Sequence, residues 1–324
     1  MILIISSKSD IHVDAVIPHL NNAGTPFIRL NTEDFPQKAD LVWELEKGQS
    51  DGTLKLYGLH EVKLSQITAC WYRKTEPPKA SKKLKTKQAK EFAESESSAF
   101  LDGLYAFLAD RFWINYPFDI IQTKQKQPNL ALAAELGLSV PKTVITTNPQ
   151  AAKEFFEKCK GNIITKTLSN YAYLDDEKKY RPIFTSKVTP TDMDHVEDFV
   201  FAPTQLQEYI EKKIELRVTI VGEKIFACEI HSQESTKANV DWRDYDFDNV
   251  KHLPHKLPKD IEEKLLQMLK NLNLHFGAFD LILTPDNRYV FLELNPNGQY
   301  LWIELLTKLP ISKTIAELLI THSQ

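Results

Sequence analysis

The chain has 324 residues, 42% of them hydrophobic, with a formal net charge of -4 and a pI near 6.2. That length supplies a sizeable core and predicts two or three domains at roughly 100–200 residues each. The balance of charge gives no support to a nucleic-acid partner, and no apolar run approaches the roughly 20 residues needed to cross a bilayer. The apolar start, residues 1–5, is too short for a signal segment and lacks its basic flank. The chain therefore reads as soluble and cytoplasmic, with no membrane partner.

Residues 1–5 predict a buried strand. Asp10 then caps a helix carrying Val13, Val16, Ile17 and Leu20 on one face, Gly24 ends it, and residues 26–30 start a second strand, a βαβ opening without GxGxxG. Further strands are expected near 41–46, 53–58 and 67–72. The lysine-rich stretch 79–90 reads as a solvated linker or helix start. Residues 91–110 predict an amphipathic helix with Phe92, Phe100, Leu104 and Phe107 towards the core. A first boundary falls near residue 117. A helix over 124–136 ends at Gly137, a strand follows at 142–146, and Asn148-Pro149 starts a helix at 149–158. Strands at 162–167 and 182–188 complete a small α+β unit. The last part predicts strands at 214–221 and 224–231, a polar loop at 232–256 holding solvated His252 and His255, a helix at 259–273, a hairpin at 278–295 and a helix at 311–320. Cys70, Cys159 and Cys228 are widely spaced among apolar neighbours and form no CxxC pair, so they read as buried free thiols.

The hairpin carries the chemistry. Its apolar strands flank Pro285-Asp286-Asn287, a turn signal, and a turn there sets Asp280 opposite Glu293. Glu293 and Asn295, two apart, share its face. Burying two carboxylates without compensation is costly. A hard cation that takes one or two carboxylates and leaves places for phosphate and water answers that; acids merely facing solvent are the other reading. Upstream, Lys126 opens a helix and Lys166 ends a strand, where a lysine can hold a phosphate. Glu215 and Arg217 alternate with apolar neighbours and point to one side of a strand, so they suit either a nucleotide or a salt bridge between strands.

The order of these features resembles ATP-grasp ligases: two lysines, Gln207-Glu208-Tyr209-Ile210, Glu215-Leu216-Arg217, Asp280, and then Phe-Leu-Glu-Leu-Asn-Pro-Asn-Gly-Gln at 291–299. Cys70-Trp71-Tyr72-Arg73, residues 164–169 and 183–186, and Asp241-Trp242-Arg243 are similar to the microviridin-type peptide macrocyclases, or graspetide synthetases, over nearly the whole chain. The resemblance implies an α+β ATP-grasp fold: a Rossmann-like pre-ATP-grasp domain (1–117), a central lid (118–203) and a catalytic domain (204–324). It implies ATP and Mg2+ as cofactors. Lys126 and Lys166 would contact phosphates, Gln207 and the backbone of Glu208, Tyr209 and Ile210 would hold adenine, and Glu215 the ribose. Asp280, Glu293 and Asn295 would bind magnesium, while Arg217 and Arg243 would neutralise the γ-phosphate and acyl phosphate. Arg73 would lie on the substrate side. The partner would be a ribosomally made precursor peptide, whose Asp or Glu side chains are joined to Ser, Thr or Lys, and the resemblance also points towards a homodimer. The acidic stretch Asp192, Asp194, Glu197, Asp198 would dock the leader, or simply form a solvated face. One departure is that residues 169–176 hold no glycine, where many small-substrate ligases have a glycine-rich lid. An amino-acid or glutamate ligase of the ribosomal-modification type and a non-catalytic nucleotide- or peptide-binding homologue are the alternatives. A two-metal hydrolase would want histidine spacings that are missing here.

Overall fold

The computed structural model describes residues 1–169, 172–175, 179–234 and 250–324. The chain opens with β1 (Ile2–Ser6), α1 (Ile11–Asn22), β2 (Phe27–Asn31), β3 (Ala39–Glu46), β4 (Gln49–Leu56), β5 (Val62–Lys63), β6 (Ala69–Tyr72), α2 (Lys87–Phe107) and β7 (Phe112–Ile114). Strands pair in the order β2-β1-β6-β7, all parallel, beside an antiparallel β3-β4-β5 sheet. Asp10 caps α1 by accepting from the His12 amide at 3.0 Å.

A parallel sheet needs cover on both faces, and here the two covers come from opposite ends of the chain. Leu3, Ile5 and Trp113 pack against the small sheet and α2. Ile2, Ile4 and Trp71 pack instead against α1 and against α8 (Leu301–Thr307) and α9 (Ile311–Thr321) from the C-terminus. The buried stripe of α2 is Ser97, Leu101, Leu104 and Tyr105. Of the four side chains expected there only Leu104 is core; Phe107 is half-buried and Phe92 and Phe100 are 69% and 39% exposed. The helix meets the sheet only along its C-terminal half, so Phe92 lies beyond the cover and Phe100 sits one position off the stripe.

The middle of the chain comprises α3 (Pro117–Thr123), α4 (Lys126–Glu135), β8 (Thr143–Thr146), α5 (Pro149–Lys158), β9 (Ile163–Lys166), β10 (Ala172–Leu174), β11 (Tyr180–Pro182), β12 (Ser186–Lys187), α6 (Pro190–Met193) and β13 (Thr204–Glu208). The helix expected over 124–136 is thus α4 alone, preceded by a separate turn of helix. The sheet β12-β9-β13-β8 is antiparallel and buries Ile163, Val188 and Leu206 under α5 and the 3-10 segment Val196–Phe201.

The largest sheet, β16-β15-β14-β17-β18, is built from β14 (Ile214–Val221), β15 (Lys224–Ile230), β16 (His252–His255), β17 (Phe276–Leu283) and β18 (Tyr289–Asn295), with α7 (Lys259–Asn271) across one face. Residues 252–255, expected in a loop, are its edge strand. His255 there is far from solvated: Nδ1 meets Glu229 at 2.7 Å and Nε2 meets the Tyr289 hydroxyl at 2.9 Å. His252 stacks edge-on against Trp302.

One side chain ties the first segment to the hairpin. The Asn115 carbonyl accepts from the His275 and Phe276 amides, and its amide donates to the Phe276 and Pro296 carbonyls, at 2.7–2.9 Å. Substitution Asn115→Leu would strand two buried donors and two buried acceptors. A loss of about 3 kcal/mol or more in urea unfolding is expected; an unchanged midpoint would show that the contact is redundant.

Candidate active site

The register of β17 and β18 pairs Asp280 directly with Glu293, one residue beyond the Leu292 that a regular register from the turn would set there. Asn287 takes the left-handed conformation (φ 60°) that closes the turn. A β-bulge follows Asp280, so Leu292 is an extra residue on β18. On the next strand Arg217 pairs with Asp280. Residues paired across antiparallel strands share a face, so Arg217, Asp280, Glu293 and Asn295 all project to one side.

The contacts are close. One Arg217 nitrogen, Nη1, donates to both Asp280 oxygens at 2.9 and 2.8 Å, and Nη2 donates to the Gln299 carbonyl at 3.2 Å. The Asn295 amide donates to Glu293 at 3.1 Å and Asp280 at 3.3 Å. Burial pushes the Asp280 carboxyl up, to about 7; the Arg217 guanidinium pulls against this and Glu293 adds to it. Two carboxylates and an amide fit a hard divalent cation: acceptor-only oxygens now select the NH2 end of Asn295, and a cation between them would select its carbonyl. Among the described residues no group of three or more His, Cys, Asp or Glu side chains is arranged to hold a metal; the metal candidate is this oxygen set of two carboxylates and an amide.

Two clefts meet at the hairpin. The first, about 70 Å³, lies between the middle sheet and the large sheet. It has Ile164, Ile210, Ile282 and Leu292 as apolar walls and Lys166, Gln207, Glu215, Asp280 and Glu293 among its polar lining. The second, about 440 Å³, is lined by Lys126, Ser169, Asn295, Asn297 and Gly298, and again by Leu292 and Glu293. Lys126 Nζ donates to the Thr167 carbonyl at 2.8 Å and stands 3.8 Å from Glu293. The two lysines therefore approach the carboxylates from different clefts.

Other expected residues are placed with more qualification. Glu208 and Tyr209 line the first cleft, but their amides donate to the Lys142 and Asn162 carbonyls at 2.8 and 3.0 Å, and the Glu208 carboxylate pairs with Lys142. Glu215 accepts from Lys212 at 2.9 Å and Ser232 at 2.7 Å, all three buried. Lys212 was hidden in the charged run Glu211-Lys212-Lys213, which looks like any surface turn. Arg73, expected on the substrate side, is 2% exposed. It spans from Asp10 (3.3 Å) to Asn297 Oδ1 (2.8 Å) and the Asn297 and Gly298 carbonyls, so it braces the loop from behind. A Cβ on Gly298 would collide with Ala278 and stand 2.8 Å from Arg217 Nη2, which is why the loop needs glycine there. Asp192 is the return partner of a capping box, accepting from the Thr189 amide and hydroxyl at 2.7 Å, and Glu197 pairs with Lys153. These contacts leave Asp194 and Asp198 as the exposed acids of that stretch whose carboxylates make no such local bond. Arg243 lies outside the described residues. All three cysteines are free and buried, and burial pushes the Cys228 thiol up to about 12, which removes it as a nucleophile at neutral pH.

The family of the MvdD pre-ATP grasp domain matches residues 1–120. The macrocyclase MdnC of Microcystis aeruginosa MRC, solved with its precursor peptide MdnA, is 33% identical, with 99% of each chain covered and a TM-score of 0.85. A RiPP-associated ATP-grasp ligase of Chryseobacterium gregarium, solved with ADP and a leader and core peptide, is 30% identical over 99% of this chain and 96% of that one, with a TM-score of 0.90. MdnB, also of M. aeruginosa MRC, is 30% identical over 98% of both, with a TM-score of 0.79. No curated protein gives a significant match. The fold and site define an ATP-dependent carboxylate ligase. The chain belongs to the family of graspetide-type ATP-grasp ligases.

The brace behind the loop has a titratable member. His12 packs edge-on against Tyr300 at 4.7 Å, and its Nδ1 is buried without a hydrogen-bond partner. Burial, with Arg73 nearby, lowers its pKa to about 4. The folded value lies below the unfolded 6.5, so the unfolded chain binds the extra proton between them. His12 therefore contributes no pH slope above about 6.5, and stability falls as pH drops from there through 4. Urea midpoints from pH 7.5 to 4.5 should decline for the wild type and decline less for His12→Phe. Parallel curves would assign the acid lability to other groups.

Proposed function

We propose that this ligase activates Asp or Glu side chains of a ribosomal precursor peptide with ATP and closes ester or amide rings onto Ser, Thr or Lys of the same peptide. The observation that carries the reading is that Glu293 lines both clefts. A nucleotide in the first and a peptide carboxylate in the second would bring their reacting ends to the same carboxylate pair. Similarity to MdnC and to the C. gregarium ligase, solved with precursor or with leader and core peptides, supports a peptide in that role.

In this reading Lys166 and Lys126 hold phosphate oxygens from either side, Gln207 and the strand end at Glu208, Tyr209 and Ile210 face the base, and Glu215, paired with Lys212, takes ribose hydroxyls. Asp280, Glu293 and Asn295 would hold magnesium, which supplies charge neutralisation at the phosphates. Arg217, fixed by Asp280, offsets repulsion between the incoming carboxylate and the γ-phosphate, and Arg243 is assigned the same task on the family pattern. Phosphate then leaves as a hydroxyl or amine attacks. Binding both partners in one peptide raises their effective concentration. Asp194 and Asp198, beside Phe201 at 83% exposure, suit a basic and aromatic leader. The same reading divides the chain at 117/118 and 203/204, gives it a cytoplasmic place and pairs it as a homodimer.

Two measurements test it. Glu293→Ala should lower turnover on the order of 100-fold or more at ordinary magnesium, with a melting temperature close to wild type because the side chain is half-exposed; undiminished turnover would remove Glu293 from the site. Separately, mass spectrometry of a precursor encoded beside this gene, incubated with enzyme, ATP and magnesium, should show loss of one water per ring. Addition of a free amino acid, with no water lost, would favour the ribosomal-modification type of ligase instead.

A further inference from the structure

Gln205 belongs to none of the groups assigned so far, yet it is 1% exposed and neither its amide nitrogen nor its amide oxygen has a hydrogen-bond partner. Buried polar atoms are nearly always satisfied, and an orphaned pair on one side chain calls for a cause. The residue lies on β13, where the alternating Leu206 faces the core under α5. Gln205 therefore faces the other way, together with Gln207. Its register partner on β9 is Lys166, and that of Gln207 is Ile164. Lys166, Gln207 and Ile164 all line the first cleft, and Gln205, paired directly with Lys166, shares their face of the sheet without itself being part of that lining. The Gln207 oxygen is likewise buried without a partner.

We infer that Gln205 is a phosphate-contacting residue that is satisfied only when a nucleotide is bound. Its chemistry matches a pair of groups: the amide NH2 donates to a phosphate oxygen, and the amide oxygen accepts from the ammonium of Lys166. A phosphate alone would leave the oxygen orphaned, and a lysine alone would leave the nitrogen. Both atoms are paired when lysine and polyphosphate are present together. Gln205 thus holds Lys166 in its phosphate-binding position, and the apo protein carries the unpaired amide until the ligand arrives. The inference rests on the ATP reading of the first cleft.

The experiment compares wild type with Gln205→Leu, of similar volume and without the amide, by thermal unfolding and by calorimetric titration with ATP, ADP and adenosine. Wild type binding ATP and ADP secures the underlying reading; a wild type that binds neither overturns that reading and this one together. With binding in hand, the variant should melt at or above the wild-type temperature when empty. It should lose about tenfold or more in affinity for ATP and ADP, and keep its affinity for adenosine. Unchanged ATP and ADP affinity would reduce Gln205 to a strained or water-bridged core residue. An equal loss for adenosine would mean that the cleft had deformed. Should Gln205→Leu fail to fold, Gln205→Met is read by the same criteria.

Discussion

The opposition of Asp280 and Glu293 across one hairpin sets the terms for everything around it. Two carboxylates in direct register, one of them buried, repel each other in a medium that screens poorly. The protein answers with cations from three separate elements: Arg217 from the adjacent strand, Lys126 from the start of α4 and Lys166 from the middle sheet. Arg217 is committed to Asp280 by short bonds, and Lys126 stands within ion-pair distance of Glu293. A cation and a polyphosphate bound at the pair would meet both carboxylates and these cations together.

Holding such a pair demands rigidity behind it, and that is what the first segment supplies. Arg73 reaches through a buried position to the carbonyls of Asn297 and Gly298, and Asn115 binds the strand start at Phe276 and the carbonyl of Pro296. Both residues come from the ends of parallel strands, where side chains project beyond the sheet. The C-terminal helices α8 and α9 close the loop in the other direction by covering the face of that same sheet. The pre-ATP-grasp domain is therefore structurally continuous with the catalytic hairpin: its core contains residues from both ends of the chain.

How much of this the sequence disclosed depends on the kind of signal. The hairpin was legible because a turn motif and period-two alternation mark two paired strands; a regular register from that turn would oppose Asp280 to Leu292, and it is the bulge at Leu292, which no local signal announces, that brings Glu293 opposite Asp280. The face shared by Glu215 and Arg217 followed from the same period. Neighbours joined by long-range contacts were not legible. Asn115 looks like part of a turn before Pro117, and His255 like a loop residue, because what defines each is a partner far along the chain; Lys212 pairs only three residues on, with Glu215, but its burial is a tertiary fact that the surrounding charge run conceals. Arg73 was singled out by family pattern and assigned to substrate, but its burial behind Asn297 is a tertiary fact. Asp192 shows the converse: an acid read as a docking charge also caps a helix, a local role that the spacing Thr189-Pro190-Thr191-Asp192 already spells out.

The missing glycines of the lid connect these points to chemistry. A glycine-rich loop binds phosphate through backbone amides, because only a chain without Cβ atoms lies close enough along the ligand. Residues 169–176 contain none, so close backbone wrapping is unavailable and donors must come from side chains. Side chains reach further than amides and can be anchored on different elements, which is the arrangement seen: a lysine on a helix, another on a strand, and glutamines facing inward from β13. In the proposed reading such donors would hold the phosphates from the sides with no loop folded across them. The second cleft could then stay wide while a nucleotide occupied the first. A small acceptor would gain nothing from that width, whereas a peptide that must present several carboxylates and hydroxyls in turn requires it.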